Sequence, residues 1–254
     1  MMPLTRPPDP RGWKRWLGRA LDLLYPADCA VCATPLACGR ALCDTCEADL
    51  PRLVPPFCQS CGEHFEGQID QAFSCPNCSN LKFAFTFARP AMLRDDRTRD
   101  MIHRLKYGRE LHLAKDLAWL AADAFRDDRL APALAGKWPL VPVPLHRGRL
   151  RERHFNQAEE IARSLSRLTG MPVVKALRRV RSTGHQTSLT RSQRLENLRG
   201  AFALTRTGRK LAQAVPGIVL VDDVFTTGST VDACASVLKR AGFHEIQVVT
   251  VMRG

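Results

Sequence analysis

Eight of the ten cysteines in this chain fall in four Cys-x-x-Cys pairs within its first third. Two thiolates at this spacing form a knuckle that presents both sulfurs to one metal ion, and two knuckles complete a closed tetrahedral zinc site. The gaps inside the first two and the last two pairs are 10 and 13 residues, which are typical ribbon lengths. We therefore predict a double zinc ribbon over residues 26–80 with two structural zinc ions. The predicted ligands are Cys29, Cys32, Cys43 and Cys46 at one site and Cys58, Cys61, Cys75 and Cys78 at the other.

The spacing leaves two alternatives open. The first knuckle could pair with the third and the second with the fourth, in a cross-braced arrangement. The cysteines could instead form disulfides, which a cytoplasmic location would disfavour. Cys38 and Cys234 stand outside the pairs, and we predict that each is a small packing residue.

The composition indicates a cytoplasmic protein with an anionic partner. No apolar run approaches the ~18 residues that a membrane span needs, and the first residues lack the apolar stretch of a signal peptide. The net charge is +13, but residues 1–80 carry −2. The window 144–210 holds 16 basic and 4 acidic residues. This basic window is either a solvated arginine-rich surface or a wall that faces an anionic ligand.

Residues 1–25 form a segment of their own ahead of the cysteines. Within it, residues 11–24 place two tryptophans and several leucines on one face at helical spacing. Such an amphipathic helix can bind a membrane surface. We expect instead that it packs on its own protein.

Beyond residue 80 the apolar pattern alternates between strands and helices. Strands are predicted at 83–92, 140–144, 172–177, 217–221 and 246–252. Helices are predicted at 96–107, 110–126, 156–168 and 228–241, with a helix or hood at 190–199. Continuous apolar strands between helices are typical of a mostly parallel sheet with helices on both faces. We therefore predict an α/β domain over residues 81–254.

The stretch VLVDDVFTTGST, at 219–230, points to a ligand site in this domain. An apolar strand ends in Asp222 and Asp223, which we expect to be exposed at the carboxyl edge of the sheet, where ligands of such folds bind. A loop of hydroxyl groups and one glycine then opens a helix, whose first N–H groups favour an anion. The acids would repel a phosphate but suit a vicinal diol, so the stretch describes a site for ribose 5-phosphate. The predicted phosphate ligands are Thr226, Thr227, Gly228, Ser229 and Thr230.

Simpler interpretations of the same stretch stay open. The two acids could hold Mg²⁺, and the hydroxyl groups could only cap the helix. An apolar strand that ends in Asp-Asp could also be a Walker B strand, although the chain contains no GxxxxGK[ST] loop.

These residues carry a family resemblance. VLVDDVFTTGST resembles the signature of type I phosphoribosyltransferases that binds 5-phosphoribosyl 1-pyrophosphate (PRPP), and residues 26–254 resemble the ComF (GntX-like) family of competence proteins. VPVPLHRGRLRERHFNQA (141–158) is similar to the family's PVP segment and RGFNQ-like motif, with His154 where glycine is usual. RSTGHQTSLTRSQRLENLRGAF (181–202) and LKYGRE (105–110) match two further family segments.

The resemblance implies a transferase core that displaces pyrophosphate from C1 of PRPP. Asp222 and Asp223 would be the catalytic carboxylates that hold the ribose 2- and 3-hydroxyls. The loop 142–147 would take the pyrophosphate with Mg²⁺ as counterion, and residues 181–199 would form a closing hood. The residues implied at the pyrophosphate are Pro142, Val143, Pro144, Arg147, Arg191 and Arg194. The acceptor of the phosphoribosyl group is not visible in the sequence.

A second function class fits the same family. The chain would then be a non-catalytic accessory that binds single-stranded DNA and works with the competence helicase machinery in DNA uptake. Zinc ribbons and the basic window favour this hypothesis. The acidic balance of the ribbon and the scarcity of aromatic residues in the window disfavour it.

Overall fold

The computed structural model describes residues 27–36, 39–67, 69, 71–182 and 191–254. Three sequence predictions lie outside the described residues: the amphipathic helix within residues 1–25, the packing role of Cys38, and the middle of the hood at 183–190. Among the helices that the structure describes, none has the length and apolar character that a membrane crossing requires.

The cysteine-rich part contains few regular elements. They are the antiparallel strands β1 (Ala27–Asp28) and β2 (Pro35–Leu36) and the short helices α1 (Asp44–Asp49) and α2 (Pro76–Ser79). The Cys29–Cys32 and Cys58–Cys61 knuckles are turns. In the first of them, Cys29 donates its N–H to the carbonyl of Thr34 at 2.8 Å.

The rest of the chain alternates strands and helices. The strands are β3 (Phe87–Met92), β4 (Leu140–Pro142), β5 (Leu177–Arg179), β6 (Phe202–Leu204), β7 (Gly217–Phe225) and β8 (Glu245–Arg253). The α-helices are α3 (Asp96–His103), α4 (Leu113–Ala122), α5 (Ala131–Ala135), α6 (Arg147–Arg153), α7 (Gln157–Thr169), α8 (Arg191–Leu198), α9 (Arg206–Leu211) and α10 (Ser229–Arg240). A π-helical turn (Arg104–Gly108) follows α3, and 3₁₀ turns span Asp123–Arg126 and Asp128–Leu130.

Four strands form one parallel sheet in the order β3-β8-β7-β4. Alternate residues of β7 face opposite cores: Val219 and Val221 pack on one side, and Ile218 and Leu220 on the other. Helices α4 and α7 cover the first side, and α10 covers the second. The prediction of a mostly parallel sheet with helices on both faces is confirmed.

Besides elements whose ends are shifted, such as β3 and β7, two predicted elements differ from the structure. The strand expected at 172–177 is wrong: residues 172–174 only flank β4, through a bridge of Val173 with Leu140, and the regular strand is β5, which pairs with β6 outside the main sheet. The helix expected at 96–107 gives way to a π-turn after His103. This turn widens the helix where Lys106 leaves it, and π-turns are frequent at functional sites.

The ribbon part packs on the sheet domain from both sides. Residues around the first cysteine cluster, such as Leu42 and Leu50, belong to the core that contains α4 and α7. The cysteines of the second cluster belong to the core under α10. Arg89 of β3 ties the two parts together, because it donates to the carbonyl of Leu53 at 2.8 Å and lies over the ring of Phe57. The division at residue 80 stays a prediction.

His154 occupies a position that favours glycine. It ends α6 with φ of 68° and donates its N–H to the carbonyl of Leu150 at 2.8 Å. A left-handed residue at this place closes a helix, and a side chain there is strained. Glycine would adopt this backbone conformation without strain, and the chain keeps the same local geometry with a histidine.

Candidate functional site

The eight paired cysteines form two separate clusters. Within each cluster the sulfur atoms lie within 4.8 Å of one another. The clusters follow the chain order, with Cys29, Cys32, Cys43 and Cys46 in the first and Cys58, Cys61, Cys75 and Cys78 in the second. This sequential pairing is the first of the two arrangements predicted from the sequence, and the cross-braced alternative is wrong.

The cluster geometry fits two structural zinc ions. A tetrahedral site with zinc–sulfur bonds of about 2.3 Å separates its sulfurs by about 3.8 Å. The sulfurs of Cys32 and Cys43 are 3.7 Å apart, and those of Cys61 and Cys75 are 3.8 Å apart. Disulfide sulfurs would be about 2 Å apart. The backbone N–H of Cys75 also points at the sulfur of Cys58, at 3.2 Å, which favours a thiolate there.

The two clusters differ in their exposure. All four cysteines of the second cluster are buried, whereas in the first cluster Cys32 is exposed and Cys43 and Cys46 are partly exposed. Both clusters offer four sulfurs and no open ligand position, so zinc ions held there would be structural and would leave no place for a substrate.

Asp222 and Asp223 lie within β7, which continues to Phe225. Their expected exposure beyond the end of the strand is wrong for one of them: Asp223 is only 4% exposed, whereas Asp222 is partly exposed. The sequence suggested an earlier end because the apolar run stops at Val221. The backbone pairing with β8 continues regardless of side-chain polarity and carries the strand four residues further.

Lys106 explains how a buried carboxylate is tolerated. It leaves the π-turn and forms an ion pair through Nζ with Oδ2 of Asp223. Burial opposes ionisation of Asp223, but the charge of Lys106 outweighs it and lowers the pKa of this carboxyl. The pKa of Lys106 is raised for the same reason, against its own burial. Both groups are therefore charged at neutral pH.

Asp222 behaves in the opposite way. Burial and the neighbouring charge of Asp223 raise its pKa well above the ordinary value. Its Oδ1 accepts the backbone N–H of Asp223 at 3.0 Å. The two acids thus differ in protonation: Asp223 holds the negative charge and Asp222 keeps its proton to a higher pH.

The loop that follows β7 turns sharply onto α10. Gly228 has φ of 74°, and a Cβ on it would lie 2.6 Å from Cζ of Phe225, so only glycine fits. The hydroxyls of Thr227 and Ser229 are 2.9 Å apart. Gly228 is the N-cap of α10 and no side chain caps the helix from that position. The N–H of Ser229 is donated to the hydroxyl of Thr227 at 3.4 Å, so the N–H groups that follow it in this twelve-residue helix are the ones directed at an anion in the turn.

The loop 142–147 leaves the neighbouring strand at the same edge of the sheet. Val143 donates its N–H to the carbonyl of Val221 at 2.9 Å, directly before Asp222. Buried Asn156 holds the loop from below, because its Nδ2 donates to the carbonyl of Val143 at 2.9 Å while its Oδ1 caps α7. Beside the loop lies an open pocket of about 530 Å³. Its walls include Pro142, Pro144, His146, Arg147, Arg178 and Arg179.

The predicted hood is only partly described. Residues 191–198 form α8, as expected for a helical segment, but the side chains of Arg191 and Arg194 lie outside the described part of the chain. In the rest of the basic window, Arg147, Arg151 and Arg178 are exposed. Arg179 is more enclosed. Burial is the main cause that lowers the pKa of this guanidinium.

Two site residues were missed from the sequence. Lys106 belongs to LKYGRE, which was noted only as a family segment, and no spacing rule predicts a π-turn. Asn156 belongs to the RHFNQ motif, where an Asn before a helix is a recognisable cap. Its second contact, with Val143, needs the tertiary structure.

Comparison with known proteins adds to this geometry. Residues 20–79 match a family model described as a double zinc ribbon domain. The chain is 31% identical over 237 residues to the DNA utilization protein YhgH of Escherichia coli O157:H7, with 91% of this chain and 99% of that protein covered. It is 28% identical over 214 residues to Competence protein F of Haemophilus influenzae, with 82% and 89% covered. It is 24% identical over 235 residues to Competence protein ComFC of Bacillus subtilis, with 88% and 83% covered.

These matches run through the ribbon and the sheet domain alike, at the identity and coverage expected of one family. With its two four-cysteine clusters and its parallel α/β sheet, the chain belongs to the ComF-like family.

Proposed function

We propose that this protein binds PRPP at the carboxyl edge of its sheet and transfers or senses the 5-phosphoribosyl group, with loss of pyrophosphate. One observation carries the proposal. A pair of acids, of which Asp223 is held ionised by Lys106, stands directly before a glycine turn that opens a long helix. A diol site and a phosphate site therefore follow each other along one strand and loop, as the two ends of ribose 5-phosphate require.

The acids suit the ribose hydroxyls. A carboxylate accepts hydrogen bonds from two hydroxyl groups, and a protonated carboxyl can both donate and accept. The pKa of Asp222 is raised and that of Asp223 is lowered, so Asp223 is the acid that supplies the negative charge first. This charge faces a ribose ring that becomes positive as the pyrophosphate leaves, which stabilises the transition state.

The turn 226–230 suits the 5-phosphate. The N–H groups at the start of α10 favour an anion, and the hydroxyls of Thr227 and Ser229 add donors. A Cβ at position 228 would strike Phe225, so glycine is what lets the turn lie this close to the ring and keeps its shape.

The loop 142–147 suits the pyrophosphate, with Arg147 as a cationic contact and Mg²⁺ as counterion. In the reaction an acceptor nucleophile forms a bond to C1 of the ribose. The bond from C1 to the pyrophosphate oxygen breaks, and the pyrophosphate leaves with the electron pair. The arginines of the basic window, including Arg191 and Arg194 of the hood, stabilise that departing charge. A hood that closes over the site would exclude water.

Calorimetric titration with PRPP and Mg²⁺ tests the proposal. We expect binding by the wild type and a loss of at least about tenfold in affinity for Asp222→Asn with Asp223→Asn, because an amide is a weaker acceptor than a carboxylate. Glu160→Gln is the control, since Glu160 lies on α7 and pairs only with Arg163 among the contacts described. Wild-type protein with two zinc ions and no affinity for PRPP would contradict the proposal.

Binding of single-stranded DNA is a second candidate function, either with PRPP as a signal or without it. It is supported by the exposed arginines of α6 and β5 and by the names of the relatives, which refer to DNA utilization and competence. In this role the protein would work in the cytoplasm beside the competence helicase machinery. DNA affinity should then fall steeply with salt, whereas PRPP affinity should depend on Mg²⁺ and the two aspartates.

A further inference from the structure

We propose that the second zinc ribbon sets the shape of the phosphate turn through an ion pair of Glu63 with Arg253. The inference rests on the proposed function, because it concerns the same turn at 226–230. It assigns Glu63 and Arg253 as positioning residues, since neither needs to touch the ligand.

Arg253 forms hydrogen bonds with the backbone that leads into the turn. Its Nη1 donates to the carbonyl oxygens of Phe225, at 2.8 Å, and Thr226, at 2.6 Å. Its guanidinium also lies over the ring of Phe225, with 5.4 Å from Cζ to the ring centroid. The arginine thus fixes the last residue of β7 and the first residue of the turn at once.

The position of Phe225 in turn determines the position of Gly228, which packs against its ring. Its ring is the surface on which the turn rests, since a Cβ at Gly228 would lie 2.6 Å from its Cζ. Phe225 is 2% exposed and packs edge to face against Phe85, at 6.0 Å between ring centroids. A shift of Phe225 would therefore move Gly228 and the N–H groups that follow it.

Glu63 holds Arg253 from the ribbon side. Its carboxylate pairs with Nη2 of Arg253, so that Nη1 remains directed at the turn. The knuckle of the second cluster fixes Glu63 in turn, because Cys58 donates its N–H to the carbonyl of Glu63 at 2.8 Å. The side chains of Arg253 and Glu63 are 14% and 38% exposed, so the arginine is shielded from solvent more than the carboxylate.

These contacts give the second ribbon a role in positioning the phosphate turn, in addition to its role in stability. The Cys58–Cys61 knuckle reaches the phosphate turn through two side chains, Glu63 and Arg253. A guanidinium is suited to this task, since its planar fork serves a carboxylate and carbonyl oxygens at the same time.

Three variants and one control test the inference. Arg253→Met removes the hydrogen bonds from the guanidinium to the carbonyls of Phe225 and Thr226, and Glu63→Gln weakens the ion pair with Arg253. Arg253→Lys keeps a charge for Glu63 but offers one nitrogen in place of the fork. Arg129→Met is the control, because Arg129 also joins the second ribbon to the sheet domain, through a 2.8 Å hydrogen bond to the carbonyl of Gln59, and does not touch the turn.

Two measurements are made on full-length, zinc-loaded protein: hydrogen exchange of the amides at 226–230 without ligand, and affinity for ribose 5-phosphate and for Mg²⁺ with PRPP. For Arg253→Met we expect exchange about tenfold faster and affinity about tenfold weaker for both ligands, with smaller changes for Glu63→Gln and Arg253→Lys. For Arg129→Met we expect wild-type exchange in the turn.

Wild-type exchange and affinity in Arg253→Met would overturn the inference. So would equal changes in Arg253→Met and Arg129→Met, since they would indicate general loosening between ribbon and sheet. If the wild type binds neither ligand, the proposed function fails, but the exchange measurement still decides whether Glu63 and Arg253 order the turn.

Discussion

Lys106 and Asp223 form an ion pair between the π-turn after α3 and the strand that leads to the phosphate turn. The pair determines which of two neighbouring acids is ionised. Asp223 carries the charge because Lys106 outweighs its burial, and the pKa of Asp222 is raised because this partly exposed carboxyl loses solvent contact and lies beside that charge. At neutral pH ionisation of Asp223 therefore stabilises the fold, whereas the carboxyl of Asp222 destabilises it.

The first prediction concerns this difference. Asp223→Asn should lower the free energy of unfolding at pH 7 by about 2 kcal/mol, since it removes the partner of an enclosed lysine. Asp222→Asn should raise it, because above the ordinary carboxyl pKa the folded protein holds a proton on Asp222 that the unfolded chain has released.

The pH dependence of denaturant unfolding checks both signs. The pKa of Asp223 is lowered by folding, so its contribution exists above the ordinary carboxyl pKa and disappears as the pH falls. The pKa of Asp222 is raised, so the advantage of Asp222→Asn should shrink as the pH falls towards 4. Equal stability changes in the two variants at pH 7 would contradict the assignment.

The second prediction concerns Lys106 itself. Lys106→Met should leave Asp223 without its charge partner, destabilise the protein and weaken PRPP binding, whereas Lys106→Arg should retain part of both properties because it keeps the charge. Lys115→Met on α4, at an exposed position, is the control. Thermal melts and titration with PRPP distinguish the variants. Wild-type affinity in a folded Lys106→Met protein would show that the ion pair is not needed at the site.

The third prediction concerns the two clusters. Metal analysis should find two zinc ions per chain, and a competing chelator should remove the ion of the first cluster sooner, because Cys32 is exposed while the second cluster is buried. Cys32→Ser should retain one zinc ion, and Cys61→Ser should lose more stability because its cluster lies inside the core under α10. Simultaneous release of both ions from the wild type would be inconsistent with this difference.

The sequence was sufficient for the sheet because the relevant signal is local. Val219 and Leu220 are apolar and adjacent, so they indicate a strand that is buried on both faces. In the structure Val219 packs in the core on one side of the sheet and Leu220 in the core on the other side. The spacing of the eight cysteines predicts two four-cysteine zinc sites. Their sequential pairing was one of two possibilities, and the sulfur distances decide between them.

The site was less accessible from the sequence because its charges come from distant segments. Lys106 and Asp223 are more than a hundred residues apart, and Glu63 and Arg253 are further apart still. The π-turn that directs Lys106 has no sequence rule, and the strand at 172–177 was misplaced because an apolar run does not show which partner it will pair with. The burial of Asp223 could not be inferred from the sequence, because the sequence does not show that Lys106 forms an ion pair with it.

The fourth prediction concerns His154, which has a left-handed backbone at the end of α6. His154→Gly should raise the free energy of unfolding by about 0.5–1 kcal/mol, since glycine adopts this conformation without strain. Gly170→Ala is the reciprocal change, because Gly170 ends α7 with φ of 70°. It should destabilise by about 1 kcal/mol. Destabilisation by His154→Gly, measured in urea, would show that the histidine side chain makes a compensating contact.

The fifth prediction concerns the glycine turn, where Gly228 and Gly200 form a matched pair. Both have positive φ, 74° and 69°, but a Cβ at Gly228 would strike Phe225, whereas a Cβ at Gly200 would meet nothing within 4 Å. Gly200→Ala should therefore cost only the backbone strain, about 1 kcal/mol. Gly228→Ala should cost more, about 2–4 kcal/mol, because it adds overpacking against a buried ring.

The ligand readout separates strain from function in this pair. Gly228→Ala should weaken ribose 5-phosphate binding, because the turn must shift away from Phe225 and carries the N–H groups with it, whereas Gly200→Ala should leave this affinity nearly unchanged. Phe225→Leu combined with Gly228→Ala should recover part of the loss, since the smaller side chain makes room for the Cβ. If the combined variant is no better than Gly228→Ala alone, the ring of Phe225 is not what requires glycine at this position, and the positive φ remains as the physical reason.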